Sequence, residues 1–304
     1  MSDTNPEIGR SVVAAGLKTN YLEAGEGDPV ILIHGSGPGV TAYANWRLSI
    51  PVLAEKYRVL APDIAGFGYT ERKSDTPYNL DFWVRHLIEW MDAVGVKKAR
   101  FVGNSFGGAL TLALTARHPE RVDRFVLMGA AGVDFEVTPG LDAVWGYEPS
   151  VENMRKIIMT FAYDTSSITD DLVRSRYEAS IRPGFHETYS QMFAAPRQRH
   201  PKALATPEAD IRKITQRALV LHGRDDQIVP LSNSLKLHSL LKRSDLHVFG
   251  AARTFLCPSS RSRPMLHWTT HGPSPQRCSR RATSVGGQPP SIGGSPSNSS
   301  VRSA

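Results

Sequence analysis

Short apolar runs recur along the first 250 residues, separated by longer stretches in which apolar positions are spaced out. Six runs are rich in β-branched residues and almost free of polar ones: VILIH (30–34), YRVLAPD (57–63), ARFVGN (99–104), RFVLMG (124–129), RALVLHG (217–223) and DLHVFG (245–250). A strand inside a parallel sheet is covered on both faces, so continuous apolarity of this length predicts parallel strands. Two earlier runs, SVVAAG (11–16) and LKTNYLEAG (17–25), alternate polar with apolar positions and predict an antiparallel edge. In 79–94, Val84, Leu87, Ile88 and Met91 recur at the spacing of one helix face. Strands alternating with such helices predict βαβ units with right-handed crossovers, in an α/β fold with a mostly parallel central sheet and helices on both faces.

The alternation stops near Ala131, and no strand pattern returns until about residue 206. Val151, Met154, Ile157, Ile158 and Phe161 share one helix face behind Ser150, a residue type that caps helix starts. A second helix is expected from Thr169, with Asp170 and Asp171 in its first turn, and a third after Pro183-Gly184. The division expected is core (1–134), inserted helical cap or lid (135–206), core (207–250) and tail (251–304).

Charge separates the tail from the rest. The formal net charge is +7, but seven of the 36 Lys and Arg are arginines in 251–304, which hold no acid. The body therefore has 29 basic against 29 acidic groups, and its charge gives no reason to expect nucleic acid or an anionic membrane as partner. Both cysteines, Cys257 and Cys278, lie in the tail, so the body has no disulfide framework and no thiolate metal site. With no apolar leader and no apolar run of membrane-spanning length, a cytoplasmic protein is the default expectation. The tail is rich in Ser, Pro and Arg, lacks helix or strand period, and is expected to be disordered.

Chemistry is clearest at FVGNSFGG (101–108). Gly103-x-Ser105-x-Gly107 follows a buried-type strand and precedes the apolar helix pattern ALTLALTARH, the context of a nucleophile elbow. Such a turn lifts the Ser105 hydroxyl above the sheet and aims the Phe106 N–H at an oxyanion. The competing reading is a serine N-cap after an ordinary glycine turn. In IHGSGPG (33–39) a glycine-rich loop follows the first core strand. Ser36 N–H is the second expected oxyanion donor, with Gly35 and Gly37 shaping the turn. The Lys-Ser/Thr ending of a phosphate loop is absent, and His34 is read as structural. LVLHGRDDQIVP (219–230) places two carboxylates just past a strand. Asp226 is expected to be the triad acid, Asp225 a loop residue, and His222 a packed strand-end residue.

With these motifs in place, 33–250 resembles the meta-cleavage-product hydrolases of aromatic degradation. The likeness is carried by HGSGPGVTAYANWR, PDIAGFGYTER, FVGNSFGG, GLDAVWGYEPS, SIRPGFHE, MFAAPRQR, HGRDDQIVPL and LHVFG. It implies hydrolysis of a carbon–carbon bond in a 2-hydroxymuconate semialdehyde-type dienol or diketone acid, giving formate and 2-hydroxypenta-2,4-dienoate. It implies no metal or organic cofactor, and a homo-oligomer is expected by the same resemblance. Carried over residue by residue, Arg182 in SIRPG would bind the substrate carboxylate, and Asn45 and Asn104 the dienol oxygens. The family base is a histidine shortly after LHVFG, and Thr254 stands at its position. The simplest account is a change of reading frame after Gly250. His267, in MLHWTTH, imitates the family His-Trp thirteen residues on and is the remaining candidate base, with His271 behind it, although neither Gly-His nor the family's last helix accompanies it. Two rival readings are a catalytically dead ligand-binding protein and a carboxylesterase on the same fold.

Overall fold

The computed structural model describes residues 5–166 and 168–254. Eight strands form one sheet: β1 (Arg10–Ala14), β2 (Leu17–Ala24), β3 (Pro29–Ile33), β4 (Arg58–Pro62), β5 (Ala99–Asn104), β6 (Val122–Met128), β7 (Arg217–Gly223) and β8 (Ser244–Phe249). Their order is β1-β2-β4-β3-β5-β6-β7-β8. β1 pairs with β2, and β2 with β4, antiparallel, and every other pairing is parallel. The apolar runs thus occupy the parallel part and the alternating runs one edge; the last run, β8, forms the other edge, half-buried to exposed rather than covered on both faces.

Period two sorts the core onto the two faces of the sheet. Ile31, Ile33, Phe101, Phe125, Leu127 and Val220 belong to one buried cluster, and Val30, Leu32, Val102, Val126, Leu219 and Leu221 to the other. Trp46 and Leu53 join the second cluster from two short helices, α1 (Ala42–Trp46) and α2 (Ile50–Ala54). The first is covered by α3 (Leu80–Ala93) and α4 (Phe106–Arg117). Helix α3 starts where Asn79 accepts a hydrogen bond from Phe82 N (2.9 Å), and buries Val84, Leu87, Trp90 and Met91.

Between β6 and β7 the described chain is helical: α5 (Pro139–Trp145), α6 (Val151–Phe161), α7 (Asp170–Ser180), α8 (Phe185–Met192), α9 (Arg199–Ala203) and α10 (Glu208–Ile211). Thr138, Ser150 and Thr169 cap α5, α6 and α7 by accepting from the amide three residues on. Helix α11 (Leu231–Leu240) links β7 to β8. No helix among the described residues is long and apolar enough to cross a membrane.

Four residues of the expected disordered tail are described, and they are engaged rather than loose. Ala252 O accepts from Asp225 N (3.0 Å), and Arg253 Nη1 donates to Met159 O and Ala162 O at the end of α6. The rest of that stretch, with Cys257, His267, His271 and Cys278, lies outside the described residues.

Candidate active site

The loops after β3, β5 and β7 and the segment after β8 converge at the carboxyl ends of the parallel strands, where open α/β sheets place their sites. Between β5 and α4, Ser105 has φ 51° and ψ −113°. A non-glycine residue held there carries strain of about 1–3 kcal/mol, so its surroundings must impose it. They do: Ser105 N donates to Met128 O (2.9 Å), and its carbonyl accepts from Gly108 N (2.9 Å) and Ala131 N (3.2 Å). The flanking glycines permit the turn. A Cβ on Gly103 would lie 2.4 Å from Gly107 O, and one on Gly107 would lie 2.3 Å from Ile33 O.

The loop after β3 is held from below and above. Asn45 Oδ1 accepts from Gly35 N (3.0 Å) and from Asn104 Nδ2 (3.1 Å), while Asn104 Oδ1 is buried without a partner among the described residues. From above, Trp145 Nε1 donates to Ser36 Oγ (3.1 Å) and the Tyr189 hydroxyl to Ser36 O (2.9 Å). The Ser36 and Phe106 amides donate to no carbonyl among the described residues. The expectation that Gly35 and Gly37 shape this turn is corrected: neither has positive φ, and an added Cβ would meet nothing closer than 3.6 Å and 4.0 Å. The glycine the loop needs is Gly39, at φ +71°, where a Cβ would sit 2.9 Å from Arg176 O and Ser180 N in α7.

Asp226 follows β7 with its side chain fully buried. Oδ1 accepts from Ile228 N (2.8 Å), Val229 N (3.1 Å) and the Thr254 hydroxyl (2.7 Å). Oδ2 is buried with no hydrogen-bond partner among the described residues. Burial raises the Asp226 pKa above the usual carboxylate value, opposed by the Thr254 hydroxyl, His222 and the two amides. Asp225 instead pairs with Arg224 at the surface (3.3 Å).

Neither nearby imidazole serves Asp226. His222 Nε2 donates to Val229 O (3.0 Å) and lies 3.7 Å from Asp226 Oδ2, and Nδ1 pairs with the Ser234 hydroxyl (2.6 Å). His34 Nδ1 donates to Gly35 O (2.7 Å), and Nε2 accepts from Ile64 N (3.0 Å). Burial lowers the pKa of both rings, against the pull of Asp226 on His222 and of Asp63 on His34.

A cavity of about 300 Å³ opens above Ser105. Leu141, Val144, Ile157 and Phe161 give it apolar walls, and Ser36, Asn45, Asn104, Thr254 and Arg176 line it too. Arg182, expected to bind a carboxylate, does not line it. Its Nε donates to Ala179 O (3.0 Å), its Nη2 to Gly68 O (3.3 Å), and the guanidinium stacks on Tyr69 at 4.0 Å. Two guanidiniums line the cavity: Arg47, whose Nη1 donates to Ala44 O (3.0 Å) at an exposed position, and Arg176, held in the part-buried wall. One helical spacing carried the missed signal: Ile168, Leu172 and Arg176 recur every four residues and all face the cavity.

A serine on a strained strand-to-helix turn above a parallel sheet, with a buried carboxylate after a later strand, defines a hydrolase of the α/β hydrolase fold. Residues 28–155 match the family model described as the alpha/beta hydrolase fold. The chain is 56% identical over 246 residues to the 2-hydroxymuconate semialdehyde hydrolase of Pseudomonas sp. (strain CF600), covering 81% of this chain and 87% of that protein. It is 56% identical over 250 residues to the 2-hydroxy-6-oxo-2,4-heptadienoate hydrolase of Pseudomonas putida, covering 82% and 91%. A solved variant of the meta-cleavage product hydrolase from Pseudomonas fluorescens IP01, complexed with acetates, superposes with a TM-score of 0.84 at 57% identity, covering 85% of this chain and 95% of that one. The chain belongs to the meta-cleavage-product hydrolases.

Proposed function

We propose that this chain is built to hydrolyse 2-hydroxymuconate semialdehyde or a close relative to formate and 2-hydroxypenta-2,4-dienoate, and that it lacks the base needed to do so at full rate. The observation that carries the first half is the sharing of one apolar cavity by Ser105, Arg176 and the Asn45–Asn104 pair. An ester pocket has no need of the last three, which argues against a plain carboxylesterase. In this reading Arg176 binds the substrate carboxylate, a planar group suited to a guanidinium fork. Asn45 and Asn104 hold the oxygens of the dienol. Ketonisation moves a proton to the carbon chain and makes the C5–C6 bond breakable. The carbonyl at C6 is then attacked, its oxyanion facing the amides of Ser36 and Phe106. Water supplies the hydroxyl of formate, and the electron pair of the C5–C6 bond leaves with the dienol fragment.

The second half rests on Thr254. Its hydroxyl occupies Asp226 Oδ1, where a triad acid would hold an imidazole. Thr254 cannot take a proton from Ser105, which stays a neutral alcohol. This favours the ligand-binding, weakly catalytic form of the function over full turnover. His267 lies outside the described residues, and a frame change after Gly250 remains our account of why no histidine stands at 254.

Mixing the protein with 2-hydroxymuconate semialdehyde tests the reading, because the dienolate absorbs visible light and its cleavage bleaches it. A spectral shift on binding, with slow bleaching matched by formate release, is expected. An unchanged spectrum at saturating protein would contradict the proposed substrate class.

A further inference from the structure

Glu7 precedes the first strand, far along the chain from every site residue, yet it is only 8% exposed. Its backbone is pinned. Glu7 N donates to Asn5 Oδ1 (3.0 Å), Asn20 Nδ2 donates to Glu7 O (2.9 Å), and Asn20 Oδ1 in turn accepts from Gly9 N (3.0 Å). From this fixed point Oε1 accepts from Arg176 Nη2 at 2.9 Å. The other terminal nitrogen, Nη1, is buried and has no hydrogen-bond partner among the described residues. The helix carrying Arg176 is seated by the close approach of its backbone to Gly39, so its Cα is fixed as well. A long flexible side chain is thereby tied at both ends, with one donor edge left over.

We propose that Glu7 is a positioning residue, which grips Arg176 by Nη2 so that Nη1 is presented to the carboxylate of a bound acid. This rests on the reading of Arg176 as the carboxylate group of the cavity. The sign of the effect makes the idea testable. Glu7 is an anion, and as a charge alone it repels an anionic ligand, so its removal would tighten binding. As a positioning group it pre-organises the guanidinium, and its removal loosens binding.

Stopped-flow spectral titrations with 2-hydroxymuconate semialdehyde and with its methyl ester separate the two effects. Glu7→Ala should weaken the acid about tenfold and the ester by less than about twofold. Glu7→Gln keeps an oxygen acceptor at the same reach and should stay within about threefold of the unmodified chain for both. Should the alanine variant fail to fold, Glu7→Asp, which withdraws the carboxylate by one methylene, must weaken the acid more than the ester. Equal weakening of acid and ester, or an acid bound as tightly or more tightly without Glu7, overturns the proposal. An acid unaffected by Arg176→Gln would instead overturn the reading of Arg176, a result distinct from any failure of Glu7.

Discussion

Replacing Thr254 with valine removes one hydroxyl and almost no volume. That hydroxyl donates to Asp226 at 2.7 Å, and Thr254 is only 7% exposed, so no solvent takes its place without rearrangement. A hydrogen bond to an ionised group contributes about 1.5–3 kcal/mol, and a loss of about 2 kcal/mol is expected at pH values where Asp226 is ionised. The pH dependence has a definite sign. Burial holds the folded-state pKa of Asp226 above its unfolded value, so between the two the folded chain binds the extra proton. Ionising Asp226 therefore costs the fold stability, and stability from this group rises as pH falls through the raised pKa. Thr254 is among the groups that oppose the upward shift, so T254V raises the pKa further. The T254V penalty should shrink toward about 1 kcal/mol once Asp226 is protonated and the lost bond is one between neutral groups. Urea unfolding of the unmodified chain, T254V and the control T254S, at neutral and mildly acidic pH, measures this. A T254V penalty under about 0.5 kcal/mol, or one that does not change with pH, would refute the reasoning.

Burial depresses His86 to a pKa of about 4. Stability should therefore be complete above the unfolded value and fall by up to about 3 kcal/mol as pH drops from about 6.5 to about 4, with H86Q flattening that limb of a urea-unfolding series. R176Q should weaken binding of the carboxylate-bearing substrate by roughly 10–100-fold in a spectral titration, because it removes a desolvated charge. R182Q should change it less than about threefold, its guanidinium being turned to backbone carbonyls and Tyr69. In thermal unfolding, G107A should lose at least about 3 kcal/mol, since its Cβ would press on two backbone oxygens, whereas G35A should stay within about 0.5 kcal/mol.

How much was legible in the sequence depended on range. Strands β3 to β7 carry their own signal because burial on both faces demands unbroken apolar runs, whereas β8, at the sheet's end, has no buried residue. The Ser105 turn was equally local, since glycines at 103 and 107 are needed within four residues of each other. Helix α6 announced itself through Ser150 and one apolar face, α7 through Thr169 and two acids in its first turn, and α8 through the Pro183-Gly184 break before it. The five-residue helices α1, α2 and α9 are too short to show a period. Arg182 drew attention through its place in a motif, but a motif does not say which way a side chain leaves its helix end. Arg176 needed the face of α7 to be known. The contacts that matter most, Thr254 with Asp226, Glu7 with Arg176 and Trp145 with Ser36, span 28, 169 and 109 residues, and no local pattern encodes them.

A bleaching assay with 2-hydroxymuconate semialdehyde, comparing the unmodified chain, T254H and T254H combined with S105A, tests the central claim most directly. A histidine beside Asp226 should restore a general base and speed bleaching at least about 100-fold, and losing the Ser105 hydroxyl should abolish that gain. Bleaching by the unmodified chain as fast as by T254H, or a gain that survives S105A, would contradict it.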